Sequence, residues 1–356
     1  MATQALPMLP ARSFALTEHR NLRIATLFLL YFAQGLPFGF IEFAMLAWLA
    51  QNGMSAAAIG SVLAASRCHD IQARLWVHNG PLCVPAHGAQ AAMDHKWTIG
   101  LVAAFAAMAI ANPSPVQIGL IAALAFVIGL SSATQDVAVD GLAVDILPED
   151  EIEKANGYMF GGQALGMAAG GGVGGFLIAY YSLAAAAMTM AVLVATILIL
   201  LIVLRERPGE RLLPWTAGQA SQRNLDIHLG AFMPIIRNLF REMFTRQTLI
   251  LMPAMVAVCG ATGIFLGLAP LFSANILDWE KSTYSGWAST ASLVAGLAAI
   301  ILFGHAASWL GARRSFILCA AATAAIALSM LVLKAEWSPF GPCSFVRSSL
   351  SRRCSY

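Results

Sequence analysis

The sequence predicts an all-α polytopic membrane protein, a bundle of spanning helices with little aqueous surface. Three observations carry this. Of the 356 residues, 59% are hydrophobic and only 11% are charged, against about 25% charged in soluble domains. Apolar runs of spanning length recur along the whole chain. The connections between them alternate between short uncharged turns and arginine-bearing loops, and an arginine bias on one side sets membrane orientation.

A bilayer core of about 30 Å needs roughly 20 residues at 1.5 Å rise each. On that measure spans are expected at 24–48, 97–111, 116–138, 155–180, 183–204, 249–275, 284–307 and 313–333. A ninth begins at Ser55 and stays apolar only to Ser66. The first run has a spanning length rather than that of a signal peptide, so no cleaved leader is expected. The connections at 51–53, 112–115 and 180–182 are short and uncharged, whereas 205–246 carries seven arginines and Arg313 and Arg314 close another turn. Placing Arg12, Arg20 and Arg23 in the cytoplasm puts both arginine-rich loops there too, provided that 55–78 counts as a helix.

The expected organisation is a cytoplasmic N-terminus (1–23), a six-helix half (24–204), a basic cytoplasmic linker (205–248), a three-helix partial second half (249–336) and an aberrant tail (337–356). Six helices, a loop and three more make the pattern of a two-repeat transporter without its end, about nine of twelve helices. The net charge of +3 is small and its lysines and arginines cluster in a few loops, which argues against a nucleic-acid footprint.

Polar groups inside spans are costly and therefore mark function. The first span holds Gln34 and Glu42, eight residues apart and close to one helical face, around the Gly35, Pro37, Gly39 break. The fourth holds Gln135, Asp136 and Asp140, the two acids stacked at i and i+4. These groups are expected to handle solute or protons; the plainer alternative is that the acids pair with loop arginines at the cytoplasmic end. The fifth span carries glycines at 157, 166, 170, 174 and 175, which read first as close helix packing, with Gln163 as its polar group to test. Between 304 and 314, Gly304, Gly311, Arg313 and Arg314 form a glycine turn closed by arginines, a gating-loop candidate to which Asp145 is added. His305, a lone helix-end histidine, reads as structural.

Ser131-Ser-Ala-Thr-Gln-Asp-Val-Ala-Val-Asp140, Asp145-Ile-Leu-Pro-Glu149 and Ala155-Asn-Gly157 together resemble the AmpG-like branch of the major facilitator superfamily. That branch includes muropeptide permeases and acetyl-coenzyme A transporters. Tyr31 to Pro37 is similar to its first helix, and 304–314 to the second-half copy of the superfamily's loop motif, with Ser308 where an Asp is usual. The resemblance spans 24–66 and 97–334. It implies twelve helices, alternating access and often proton coupling. By that reading the chain is an inner-membrane carrier of a muropeptide-like or other polar solute, working as a monomer in the lipid bilayer with protons as its partner and no cofactor. Gly157, Gly166, Gly170, Gly174 and Gly175 are also similar to the helix-five motif of proton antiporters, with Gly171 where that motif has Pro. The direction of transport stays open.

Two stretches read differently. Residues 67–97 hold four of the seven histidines, with Cys68 and Cys83, where the family has the end of helix two and its first loop motif. The spacings of Cys68, His69, His78, Cys83, His87 and His95 match no familiar zinc pattern, so no metal is expected. A displaced reading frame accounts for the stretch better. Joining the last two bases of each codon to the first of the next, from the boundary of Ile71 and Gln72 to that of Asp94 and His95, permits FKLVYGFIMDRYAFLPMGRRRPWI. Trp76-Val77 forces its first glycine and Met93-Asp94 its tryptophan. The other positions are choices that the genetic code allows. The tail at 337–356 shifts to Ser, Arg, Pro and Cys and also reads as out of frame. The competing function classes are therefore a solute carrier, a non-functional product of a damaged carrier gene, and a membrane-bound acyltransferase-type enzyme. The third needs a His/Asp or Cys/His constellation, which the in-frame spans do not supply.

Overall fold

The computed structural model describes residues 15–67, 89–201, 204–208, 244–275, 277–279, 282–298 and 300–301, with isolated positions between 237 and 321. The described residues are almost wholly helical; the exceptions are turns and one isolated parallel bridge between Ala15 and Arg205.

The first crossing is one continuous rod built of three pieces. Helix α1 (Arg20–Gly39) passes through a π-helical turn (Phe40–Met45) into α2 (Leu46–Gln51). Pro37 lies inside α1 and has no N–H for the helix ladder. Just beyond it the N–H of Phe40 is shared between the carbonyls of Leu36 and Pro37, and the ladder slips to the wider π spacing. Asn52 and Gly53 turn the chain back, Gly53 with φ of +76°, which glycine adopts without strain. Ser55 then caps α3 (Ala56–Ser66), accepting from the N–H of Ala58 at 3.2 Å.

The remaining elements are α4 (Ala89–Ala111), α5 (Ile118–Ile146), a 3₁₀ turn (Glu149–Glu151), α6 (Ile152–Tyr180), α7 (Leu183–Leu201), α8 (Arg246–Asn275) and α9 (Thr283–Ala298). Several helices outrun the expected spans. The first begins at Arg20 rather than residue 24, and α5 runs past 138 to Ile146, so that Asp145 as well as Asp140 is helical. Helix α4 starts at Ala89, inside the anomalous stretch. Residues 68–88, the span at 313–333 and the tail at 337–356 lie outside the described residues. Helix α3 ends at Ser66 after 11 residues, about 16 Å of rise and roughly half of a bilayer core.

Helix α6 organises the packing, lying against α1 on one side and α9 on the other. Glycine makes both contacts possible. A Cβ on Gly166 would stand 2.1 Å from the carbonyl oxygen of Phe32, and one on Gly39 would stand 2.0 Å from that of Met167. On the opposite face, a Cβ on Gly175 would meet the hydroxyl of Ser285 at 2.0 Å. Lipid gives two apolar helices no reason to prefer each other over itself, so association depends on this close fit. A second group packs α4 between α5 and α7, and α3 lies on α5. Large apolar side chains such as Ile110, Val144 and Ile199 point outwards, as a lipid-facing surface allows.

Replacing Gly166 by Val should lower the thermal stability of the purified protein, since overpacking costs about 1–3 kcal/mol. Gly60→Ala meets open space inside α3 and should hold or slightly raise the melting temperature, since alanine favours the helix over glycine. A neutral Gly166→Val would show that α1 and α6 are not in backbone contact.

Candidate functional site

The polar groups of the bundle fall in a line from one end of α1 to beyond its middle. At the arginine-rich end, Arg23 is almost fully buried and donates twice to one oxygen of Glu151, from Nη2 at 2.7 Å and Nε at 3.2 Å. Its other nitrogen, Nη1, donates to the carbonyls of Leu16 (2.9 Å) and Thr17 (3.3 Å). Arg20 reaches the second oxygen of Glu151 at 3.4 Å. Beside this knot Arg207 pairs with Asp145. The N–H groups of Leu16 and Thr17 donate to the carbonyls of Arg205 and Glu206, at 2.8 and 3.1 Å. Three segments far apart in sequence thus meet here through buried charge.

Higher in α1, the hydroxyl of Tyr31 donates to Asp140. Asp136, half-buried one turn away, lies close enough to act electrostatically on the same phenol. The ring of Phe160 stands edge-on to Tyr31, with centroids 6.4 Å apart. This bond fixes the register of two antiparallel helices. Three residues further along α1, Gln34 comes level with Asp136 and Val137 on α5. Gln34 and Gln135 are both fully buried, and neither side-chain amide has a hydrogen-bond partner among the described residues; the hydroxyl of Ser132 shares that condition. A buried unsatisfied amide typically costs about 1–3 kcal/mol, so two of them on facing helices mark where the structure holds polarity in reserve.

The line ends at Glu42, in the π-helical turn, whose carboxylate accepts from Nε of Arg67 at 2.8 Å. Glu42 is nine residues from the end of α2 and Arg67 follows the inner end of α3, so both sit about 15 Å below the turn at Gly53. That is half the thickness of a bilayer core of about 30 Å. Tyr284 of α9 is near enough to interact with Glu42, and the buried hydroxyl of Ser289, one turn along α9, has no partner among the described residues.

The structure therefore joins Asp140, and Asp136 electrostatically, to Tyr31 of α1; Gln34 and Gln135 are buried on α1 and α5, and Glu42 stands two to three turns further along α1. Gln163 is half-buried, and it is its backbone carbonyl that meets Gly35. Gly304, Gly311 and Arg313 lie outside the described residues; Arg314 is helical and exposed. Among the described residues, Arg207 pairs with Asp145 near the end of α5. Sequence reasoning missed Tyr31, Arg67 and Tyr284 as partners. Tyr31 lies three residues before Gln34 on the same helical face, a spacing that could have revealed it.

A bundle of apolar helices with a polar seam through its interior defines a polytopic membrane protein of the transporter class. The chain belongs to the Major Facilitator Superfamily: the family model matches residues 27–342. It is also 31% identical over 155 residues to the anhydromuropeptide permease of Escherichia coli strain K12, and equally to that of Escherichia coli O157:H7. Each match covers 42% of this chain and 30% of the relative, so the chain is matched over under a third of the length of these relatives.

Removing either partner of the buried Arg23–Glu151 pair strands a charge and should destabilise the protein by about 3–5 kcal/mol. Arg23→Gln and Glu151→Gln should each lower the melting temperature sharply, and the double variant should recover part of the loss. Simple additivity of the two would show that the pair does not couple.

Proposed function

We propose that the chain is a proton-coupled secondary transporter of the inner membrane, working by alternating access on a muropeptide-like or other polar organic solute. The observation that carries this reading is the seam itself: Tyr31 with Asp140 and Asp136, the unsatisfied amides of Gln34 and Gln135, and Glu42 at mid-depth. Asp136, half-buried, and Asp140, exposed but bonded to Tyr31, can exchange protons, and amides without partners among the described residues can turn to a solute when the helices part. The similarity to anhydromuropeptide permeases supports the solute class, and the arginine-rich end supports a cytoplasmic N-terminus. On this reading Arg20, Arg23 and Arg207 face the cytoplasm, Asp136 and Asp140 carry the proton, and Gln34, Gln135 and Gln163 contact solute. Asp145, with Gly304, Gly311, Arg313 and Arg314, serves the gate.

Asp140→Asn and Asp136→Asn should each abolish proton-driven uptake in proteoliposomes, beginning with anhydro-muropeptides, while expression and insertion persist. Wild-type uptake in both would remove the acids from the mechanism. Cysteines placed at Arg207 and Arg313 should label from the cytoplasmic side; labelling from outside would reverse the orientation.

A second reading is that this chain is a frame-displaced product of such a gene. The observation that favours it is the end of α3 after 11 residues, with Arg67 at mid-depth. A charge at the bilayer centre opposes insertion by about 2.5–3.5 kcal/mol, and Arg74 and Asp70 follow closely. Sequencing the coding DNA across codons 66–98 and 334–356 should reveal inserted or deleted bases. Restoring the frame and completing the C-terminus should raise insertion and uptake; equal transport by the 356-residue chain would reject the frame displacement.

A further inference from the structure

At the arginine-rich end, a cavity of about 380 Å³ opens between α1, α6 and the segment that continues from α9. None of the polar seam residues lines it. Its lining is ordered by depth. Arg20 and Lys154 stand in the first turns of α1 and α6, Tyr158 lies one turn further in, and Ile24, Phe28 and Ile300 form the apolar walls. Along α1 the step from Arg20 to Phe28 is about 12 Å.

The charge balance is cationic. Lys154 is half-buried and has no ion-pair partner among the described residues, and the hydroxyl of Tyr158 makes no hydrogen bond there. Glu151 does not line the cavity, and its carboxylate is held by Arg20 and Arg23. The exposed acids Glu149, Asp150 and Glu153 also lie outside the lining. Helices α1 and α6 both begin at this end, so their dipoles add to the attraction for an anion.

We propose that this cavity binds the headgroup of an anionic phospholipid, with the phosphate between Arg20 and Lys154, the Tyr158 hydroxyl donating to it, and an acyl chain along Phe28 and Ile300. A phosphorylated solute or free phosphate shares the anion chemistry, but has no use for an apolar wall one to two turns beneath the cations. A phospholipid matches that vertical order, and basic pockets between helices on the cytoplasmic side suit such headgroups. The site rests on the cytoplasmic orientation proposed above for this end. Because Ile300 belongs to the second half and the cations to the first, a bound lipid would bridge the two halves.

The test is native mass spectrometry of the full chain in detergent, offered phosphatidylglycerol or phosphatidylcholine at equal concentration. Wild type should retain phosphatidylglycerol preferentially. Lys154→Gln should weaken that retention about fivefold, the effect of one basic group at a membrane surface, and Lys154→Arg should preserve it. Lys154 makes no contact that holds the fold, and an unchanged melting temperature would confirm that Lys154→Gln stays folded. Competition with glycerol 3-phosphate and inorganic phosphate should not displace the lipid. Equal retention in wild type and Lys154→Gln would overturn the proposal, as would displacement by either soluble anion. Uptake is not the readout, so loss of transport function leaves the result standing. If lipid retention follows Lys154 while Arg207 labels from outside, the orientation fails and the anion site does not.

Discussion

Helices α1 and α6 touch backbone to backbone, and most of the molecule's arrangement follows from that contact. Gly39 meets Met167 and Gly166 meets Phe32 at distances no side chain would permit. Close approach brings carbonyl dipoles and many small dispersion contacts together where water offers no hydrophobic drive. With α1 pinned in this way, the hydroxyl of Tyr31 reaches Asp140 of α5 while its ring rests against Phe160 of α6. The glycines on the far face of α6 then admit α9 equally closely, so one helix joins the two halves of the chain through opposite sides of itself.

The interior charges are graded from one end to the other. At the arginine-rich end they are saturated: Arg23 makes four hydrogen bonds to three residues. Near the middle of α1 and α5 the amides of Gln34 and Gln135 have no hydrogen-bond partner among the described residues. Structural ion pairs are normally completed, because an incomplete one is strongly destabilising. The contrast sets the saturated ion pairs at the end of the bundle apart from the amides nearer its middle.

Much of this was legible in the sequence. The run lengths identified spanning helices, and the paired glycines of 157–175 correctly signalled close packing. The acids at 136 and 140 pointed to α5 as a polar helix. Helix ends were less legible where charge entered the span. Asp140 and Asp145 lower the local hydropathy, and a reading by apolar length stops before them. In the structure Tyr31 and Arg207 take up those acids, and α5 runs on. Partners distant in sequence, such as Arg23 with Glu151 or Glu42 with Arg67, left no local trace. Periodicity reports which face of a helix is polar, but not which helix will face it.

The pairing of Ala15 to Thr17 with Arg205 and Glu206 has a mechanical meaning. It fastens the chain ahead of the first crossing to the chain behind α7, so the half is closed into a loop at that end. A segment leaving such a fastening departs from a fixed point rather than from a fraying helix terminus. The second half is therefore hitched to the first at a defined place, and a given linker length confines it to a smaller volume.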